Sequence, residues 1–465
     1  MGGQAFASLH TPRMRSAVYD HVLKQTLHAL REHYALVESP IEAPGKTTHG
    51  DVDVLVTGAL EMDFDPEKRP WNEVANRLGE VLGAVSSIRH NGMPVVNLAV
   101  PWPQNTPPSM EHSPESEEPE EVKYVQIDIH HLHSLERFQW ELFHSAHGDL
   151  WNILGSTIRR FGLTVNDRGL YLRIPDIELL DRKKSMVFLT EKPSEVLNFI
   201  GLDEKTWWKP FSSQSEMFNY AAGCRLFWVR GKDAEEEYDI VGDLPVEGQE
   251  GGDAGKKKLK HNDRQRMLKR PIFNDWMTVF IPECREEFIT PAMMSQLPWN
   301  IVKLILTTRH QGLYTEQKTT RDEIRDEAFK QFNVQREYEE KLASWKLLRH
   351  KDEIWREVIK GSIPLEDVDP QFRAASIRTI KAVIMEGQEF QGTVPDAAKQ
   401  DEHGFYDVAA VKAFVEANWE EAGRVGMERQ LAKSRLAMEE KQAKKKRKAE
   451  EAVVEVGGGL KVAGD

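Results

Sequence analysis

Cysteine is scarce in this 465-residue chain: Cys224 and Cys284 are the only two. That count excludes a cysteine-based zinc cluster and a disulfide scaffold, and it fits a reducing, intracellular setting. No apolar run approaches the ~18 residues of a membrane span, so no membrane association is expected. The opening Met-Gly-Gly-Gln-Ala-Phe-Ala-Ser lacks the basic and apolar regions of a signal peptide. The same opening misses the Ser or Thr of a myristoylation site, so that modification is not expected. No internal repeat is present. Basic charge is also in deficit: 62 Lys and Arg face 75 Asp and Glu, a net charge of −13. Such a chain does not coat nucleic acid generally.

What is present is enough for real cores: 40% hydrophobic residues and 12 tryptophans. The length allows two or three domains. The most informative stretch is Pro44-Gly45-Lys46-Thr47-Thr48-His49-Gly50-Asp51-Val52-Asp53-Val54-Leu55-Val56. Here a glycine-bearing turn runs into an apolar strand that begins with Asp-x-Asp. Residues two apart on a strand share a face. Asp51 and Asp53 therefore aim at one spot, while Val52 and Val54 face the core. Two neighbouring carboxylates repel unless a positive group lies between them, and a divalent cation fills that role. The pair also reads as turn or capping carboxylates. Two other Asp-x-Asp pairs, Asp63/Asp65 and Asp367/Asp369, stand beside Pro66 and Pro370 and lead into no apolar run. They read as solvated turns.

A third carboxylate lies further on, in Lys123-Tyr124-Val125-Gln126-Ile127-Asp128-Ile129-His130. Val125, Ile127 and Ile129 alternate with Gln126, Asp128 and His130. A buried mid-strand Asp needs a partner, and a neighbouring strand carrying Asp51 and Asp53 supplies one through a shared metal. Gly45, Lys46, Thr48 and Gly50 are candidates to cradle phosphates through backbone N–H groups; alternatively the glycines only shape the loop. Gly45-Lys46-Thr47 is not an ATPase phosphate loop, because Pro40 occupies the place of the first required glycine.

Glycine turn, Asp-x-Asp strand and later single Asp together resemble the DNA-polymerase-β-type nucleotidyltransferase superfamily. Gly-Lys-x-Thr-His-Gly-Asp-Val-Asp followed by Val-Gln-Ile-Asp is similar, more narrowly, to nucleotidyltransferase-like proteins of phages, large DNA viruses and fungi. The likeness continues through Gly148-Asp149-Leu150-Trp151-Asn152-Ile153-Leu154-Gly155 and the Gly162–Leu170 segment, and covers about residues 10 to 310. It departs where the usual Gly-Ser is replaced by Gly45-Lys46; Lys46 or Thr48 stands in for the missing hydroxyl. The resemblance implies transfer of a nucleoside monophosphate from a nucleoside triphosphate (NTP) to a hydroxyl acceptor. It implies two Mg²⁺ ions, or Mn²⁺ in their place, about 3.5–4 Å apart. Asp51 and Asp53 would bridge both ions, and Asp128 would complete the one that activates the acceptor. The rival expectation is an inactive protein of the same fold that binds nucleotide or nucleic acid, or acts as a scaffold.

Other candidates have plainer readings. His130, His131 and His133 lack a complementary ligand set and read as surface, with His130 in reach of the Asp128 site. Arg159, Arg160, Arg168 and Arg173 suit phosphates but are expected to be solvated. Trp207-Trp208 can stack a base, yet core packing is the expectation. Basic charge concentrates in Lys256 to Arg270, a candidate RNA or DNA contact, and in Lys444 to Lys448, a candidate nuclear-import signal. Each also reads as a solvated run.

The expected fold class is α+β: a small mixed β-sheet core backed by helices, then a largely helical C-terminal region. Residues 10–180 form the core, with a Pro-, Ser- and Glu-rich disordered insertion at 101–121. A helix over 12–36, a strand at 51–57, a helix over 71–82 and strands at 85–89 and 95–100 joined by an Asn91-Gly92 hairpin precede the strand at 123–130. Helices follow at 134–145 and 149–161, capped by Asp149 and Gly162, then a strand at 170–174. Residues 181–315 are expected to be mostly helical around an acidic loop at 231–255. Residues 316–452 form a charged helical extension, a candidate surface for protein partners, and 453–465 a flexible tail.

Overall fold

Alternation of β-branched and polar residues builds the central sheet. The computed structural model describes residues 3–89, 92–104, 122–229, 270–286 and 320–458. Within them the chain divides into two units, 1–338 and 339–465. The acidic loop, most of the insertion, Asn91, the basic segment before Arg270 and the last residues of the tail lie outside the described residues.

The first unit begins with β1 (Met14–Arg15), α1 (Ser16–Leu30), β2 (Tyr34–Glu38), β3 (Thr48–His49) and β4 (Asp51–Ala59). Next come α2 (Trp71–Leu82), β5 (Ser86–Arg89), β6 (Val95–Pro101) and β7 (Tyr124–His131). Five of these strands make one mixed sheet in the order β2-β4-β7-β6-β5, with only the β4–β7 pair parallel. Val52, Val54 and Val56 of β4, Val96 and Leu98 of β6, and Ile127 and Ile129 of β7 are fully buried on one face. The apolar stripes of α1 and α2, among them Val18, Val22, Val74 and Leu78, close over that face. This is the α+β core that the alternation predicts.

One boundary differs. The helix expected over 12–36 ends at Leu30, and residues 34–38 form an edge strand. Leu36 has helical spacing to the residues before it, yet it is 39% exposed. Tyr34 and Val37 are the buried residues, and Val37 pairs with Val56. Backbone pairing along the free edge of β4 outcompetes continued helix, a tertiary effect that local periodicity does not carry.

Beyond the sheet stand α3 (Leu135–Ser145) and α4 (Leu150–Ile158), then a three-stranded antiparallel sheet of β8 (Leu163–Asn166), β9 (Gly169–Arg173) and β10 (Met186–Thr190). Short helices α5 (Pro175–Glu178), α6 (Pro193–Ile200), α7 (Glu204–Trp207) and α8 (Gln214–Ala222) follow. Trp140, Phe143, Ile153, Leu154 and Trp207 are fully buried where these helices meet. Trp207 is thus a core residue. Arg173 is a correction to the expected solvated arginines: it is 2% exposed, paired with Glu178 and donating to the Arg159 carbonyl. A buried guanidinium needs such a partner.

The second unit is helical. Asp369 accepts hydrogen bonds from the Gln371 and Phe372 N–H groups and caps the helix Pro370–Glu386. Asp63 and Asp65 likewise serve local turns, with Arg69 and with the Glu67 N–H. A long helix, Val408–Gly458, packs against Pro370–Glu386 over a core that includes Ile380, Val383, Val411 and Val415. The approach is close at Gly426, where a Cβ would lie 2.6 Å from Thr379 Oγ1 and 2.9 Å from the Ala375 carbonyl. No described helix is long and apolar enough to cross a membrane. Gly426→Val is expected to cost about 1–3 kcal/mol by overpacking, read as a lower denaturation midpoint of the C-terminal helices; an unchanged midpoint would count against this contact.

Candidate functional site

The face of the central sheet opposite α1 and α2 carries its polar residues. Residues paired across β4 and β7 stand abreast: Asp51 pairs with Gln126 and Asp53 with Asp128. On the other side of β7, Asn97 pairs with Asp128 and Ala99 with Gln126. One row across the sheet therefore reads Asn97, Asp128, Asp53, and the next reads Ala99, Gln126, Asp51. Alternation puts the three carboxylates on one face; strand order makes them neighbours.

Asp128 is held from two sides. Asn97 Nδ2 donates to its Oδ1 at 2.7 Å, and Gln126 Nε2 donates to Oδ1 at 2.9 Å and to Oδ2 at 3.1 Å. Gln126 is fixed in turn, because its Oε1 accepts from the Ala5 N–H at 3.0 Å. Burial raises the Asp128 pKa, and the two amide donors only partly offset it. Asp51 is pushed up to about 6, first by burial and then by the charges of Asp53 and Asp128. Asp53 is the open member, with half its side chain exposed and His130 Nε2 at 3.3 Å from its Oδ1. Burial favours a neutral His130 ring, but Asp53 and Asp128 outweigh it and raise its pKa.

The turn before β4 is secured from several directions. Gly45 has φ +75°, a left-handed conformation suited to glycine. Lys46 Nζ lies 2.7 Å from Glu42 Oε2, and His49 Nδ1 lies 3.3 Å from Glu42 Oε1. His49 is buried and stacks on Tyr19 with ring centroids 3.8 Å apart. Arg13 donates through Nε to Thr48 Oγ1 at 3.0 Å and through Nη2 to the Thr48 carbonyl at 2.7 Å. The Gly50 carbonyl is close-packed against Gly3. Lys46 and Thr48, the residues expected to grip phosphate, thus have partners within the protein. Lys46 remains close enough to Asp51 for its charge to oppose the upward shift there. His147 ties the same loop to the helices beyond, donating its backbone N–H to the Ile41 carbonyl at 2.6 Å and placing Nε2 2.7 Å from the Trp207 carbonyl.

Asn97, Glu42 and Arg13 are parts of this arrangement that the sequence did not single out. Asn97 had a signal: a lone amide inside the apolar run Val95-Val96-Asn97-Leu98. Glu42 and Arg13 had none, since their contacts depend on how the turn folds back. His131 and His133 take no part in the acidic row. His131 is buried against Tyr34 and Trp71, and burial pushes its pKa down to about 4. Asp149, expected as a helix cap, makes no side-chain cap and pairs with Arg270 instead, at 2.7 Å.

The donor chemistry suits a hard divalent cation: three carboxylates, two of them abreast, with amides as the donors to Asp128. Among the described residues no group of three or more His, Cys, Asp or Glu is arranged to hold a metal ion as the side chains stand. In the absence of a cation the row costs stability. The folded-state pKa of Asp51 lies above its ordinary value of 3.8, so the folded protein binds the extra proton between pH ~4 and ~6. Its stability contribution is present below that window and lost as pH rises through it. Asp51→Asn is therefore expected to stabilise the metal-free protein by about 1–2 kcal/mol at pH 8, after discounting for partial exposure. The gain should vanish near pH 4; a loss of stability at pH 8 would contradict the geometry.

No family model matches the chain, and no curated protein is similar enough to it to count as a relative.

Proposed function

We propose that this protein is a metal-dependent nucleotidyltransferase that transfers a nucleoside monophosphate from an NTP to a hydroxyl acceptor. The observation that carries the reading is the register of β4 and β7, which sets Asp53 beside Asp128 with Asp51 on the same face. Carboxylates placed abreast on one sheet face cost stability, and a function that needs concentrated negative charge explains why they are there. Asp51, Asp53 and Asp128 would hold Mg²⁺ or Mn²⁺, which would neutralise the triphosphate and stabilise the departing pyrophosphate.

The chain's own residues do the rest. Asn97 and Gln126 fix the orientation of Asp128, so that its carboxylate does not turn away when substrate arrives. Asp128, partly desolvated, is the group to take the proton from the acceptor hydroxyl. The acceptor oxygen then bonds to the α-phosphorus, and the bond from that phosphorus to the bridging oxygen of pyrophosphate breaks. The turn from Gly45 to Gly50 sits beside Asp51, and Lys46 exchanges Glu42 for a phosphate oxygen on binding. The acceptor, whether RNA, DNA, a protein or a small molecule, is left open by these residues.

A second reading keeps the fold without catalysis, as a nucleotide- or nucleic-acid-binding or scaffold protein. It is favoured by the internal partners of Lys46 and Thr48, and by the lack of a gathered three-ligand group among the described residues. In either case the long helix Val408–Gly458, whose side chains from Glu428 to Lys445 are exposed, is the candidate protein-binding surface. The Lys444–Lys448 run is a candidate nuclear-import signal on that helix.

Incubation with Mg²⁺ and each labelled NTP, against RNA, DNA and protein acceptors, separates the two readings. Transfer by the wild type that falls at least 100-fold in Asp51→Ala and in Asp53→Ala is the expected result. Transfer that survives both substitutions would overturn the assignment, and nucleotide binding without transfer would select the second reading.

A further inference from the structure

A cavity of ≈ 370 Å³ opens among α3, α4, β8 and the helical segment 271–286, and shares no residue with the acidic row. Its volume lies within the range of small-molecule sites, about 300–1,000 Å³. Two guanidinium side chains line it, Arg159 and Arg270. Asp149 accepts from Arg270 Nη1 at 2.7 Å, which holds that guanidinium in place through one nitrogen. An arginine so anchored keeps a fork of N–H groups matched to phosphate oxygens.

The remaining lining adds a second chemistry. The Ser156 hydroxyl is spent as a donor to the Ile153 carbonyl at 2.6 Å, so toward the cavity its oxygen can only accept. Thr164 also contributes to the lining. Trp151, otherwise packed on Phe143 and Trp207, supplies an aromatic side chain to the lining. On α4, Gly155 faces open space: a Cβ there would meet nothing within 4 Å. The anchored fork of Arg270, the acceptor oxygen of Ser156 and the aromatic side chain of Trp151 together suit a ligand with a phosphate at one end and a planar, N–H-bearing ring at the other.

We infer that this cavity binds a phosphorylated planar-ring compound of nucleoside monophosphate size, as a site separate from the carboxylates of the central sheet. The inference rests on the lining of the cavity and not on the transfer reaction. It is therefore tested with monophosphates in the absence of divalent cation, conditions under which the acidic row has no role.

The experiment is calorimetric titration of the full chain with adenosine and guanosine monophosphates, and with inorganic phosphate. Saturable binding of at least one monophosphate is expected, at least tenfold tighter than phosphate alone. Arg270→Gln should weaken it at least tenfold, and Gly155→Leu, which fills the open space beside α4, should abolish it. Thermal melting of both variants shows whether they fold; Asp51→Ala/Asp53→Ala should bind as the wild type does. Failure of both monophosphates to bind would overturn the proposal. So would binding equal to that of phosphate, binding unmoved in folded Arg270→Gln and Gly155→Leu, or binding lost in the Asp51→Ala/Asp53→Ala chain.

Discussion

The parallel pairing of β4 with β7 is the constraint on which the rest of the arrangement depends. Antiparallel neighbours account for every other ladder in the central sheet. A parallel pair requires a long crossover, and here the chain between β4 and β7 supplies α2, β5 and β6. That crossover brings a strand with a single mid-strand Asp against a strand that opens on Asp-x-Asp. A slip of one residue would turn every side chain of β7 to the other face, sending Asp128 into the core and Ile127 and Ile129 into the acidic row. The full burial of those two isoleucines against α1 and α2 holds the register. Hydrophobic packing on one face thus fixes the electrostatics of the other.

The acidic row is supported where it is most costly. Asp128, the most enclosed of the three, has two amide donors, and one of these is braced by the backbone at Ala5. Asp53 is open to solvent and faces His130. Asp51 has neither amide donors nor full exposure, and burial with the charges of Asp53 and Asp128 pushes its pKa up to about 6. The preceding turn is neutralised internally by Glu42, Lys46 and His49, so its positive charge is present but engaged. Unmatched carboxylates thus stand beside an engaged lysine.

Much of this was legible in the sequence because it rests on short-range alternation. The Val52/Val54 and Val125/Ile127/Ile129 patterns give the strands, the buried face and the shared face of Asp51 and Asp53. The dismissal of Asp63/Asp65 and Asp367/Asp369 also follows locally, from proline and turn chemistry. The helices at 71–82 and 135–145 follow from their periodicity. What the sequence could not carry is long-range. Tyr34–Glu38 is a strand only because β4 offers it an edge. Arg173 is buried only because Glu178 and the Arg159 carbonyl come together around it. Asn97 joins the site through a partner 31 residues away, and Lys46 and Thr48 are engaged by residues that only the folded turn brings near.

The most direct test of the central claim, that the three carboxylates form one cation-requiring site, is Mn²⁺ binding followed by electron paramagnetic resonance. The wild type should remove Mn²⁺ from solution with saturable stoichiometry, and Asp128→Asn, which keeps shape and hydrogen-bonding capacity but removes charge, should weaken that binding at least tenfold. Saturable Mn²⁺ binding of equal strength in both proteins, or none in the wild type at millimolar Mn²⁺, would contradict the account.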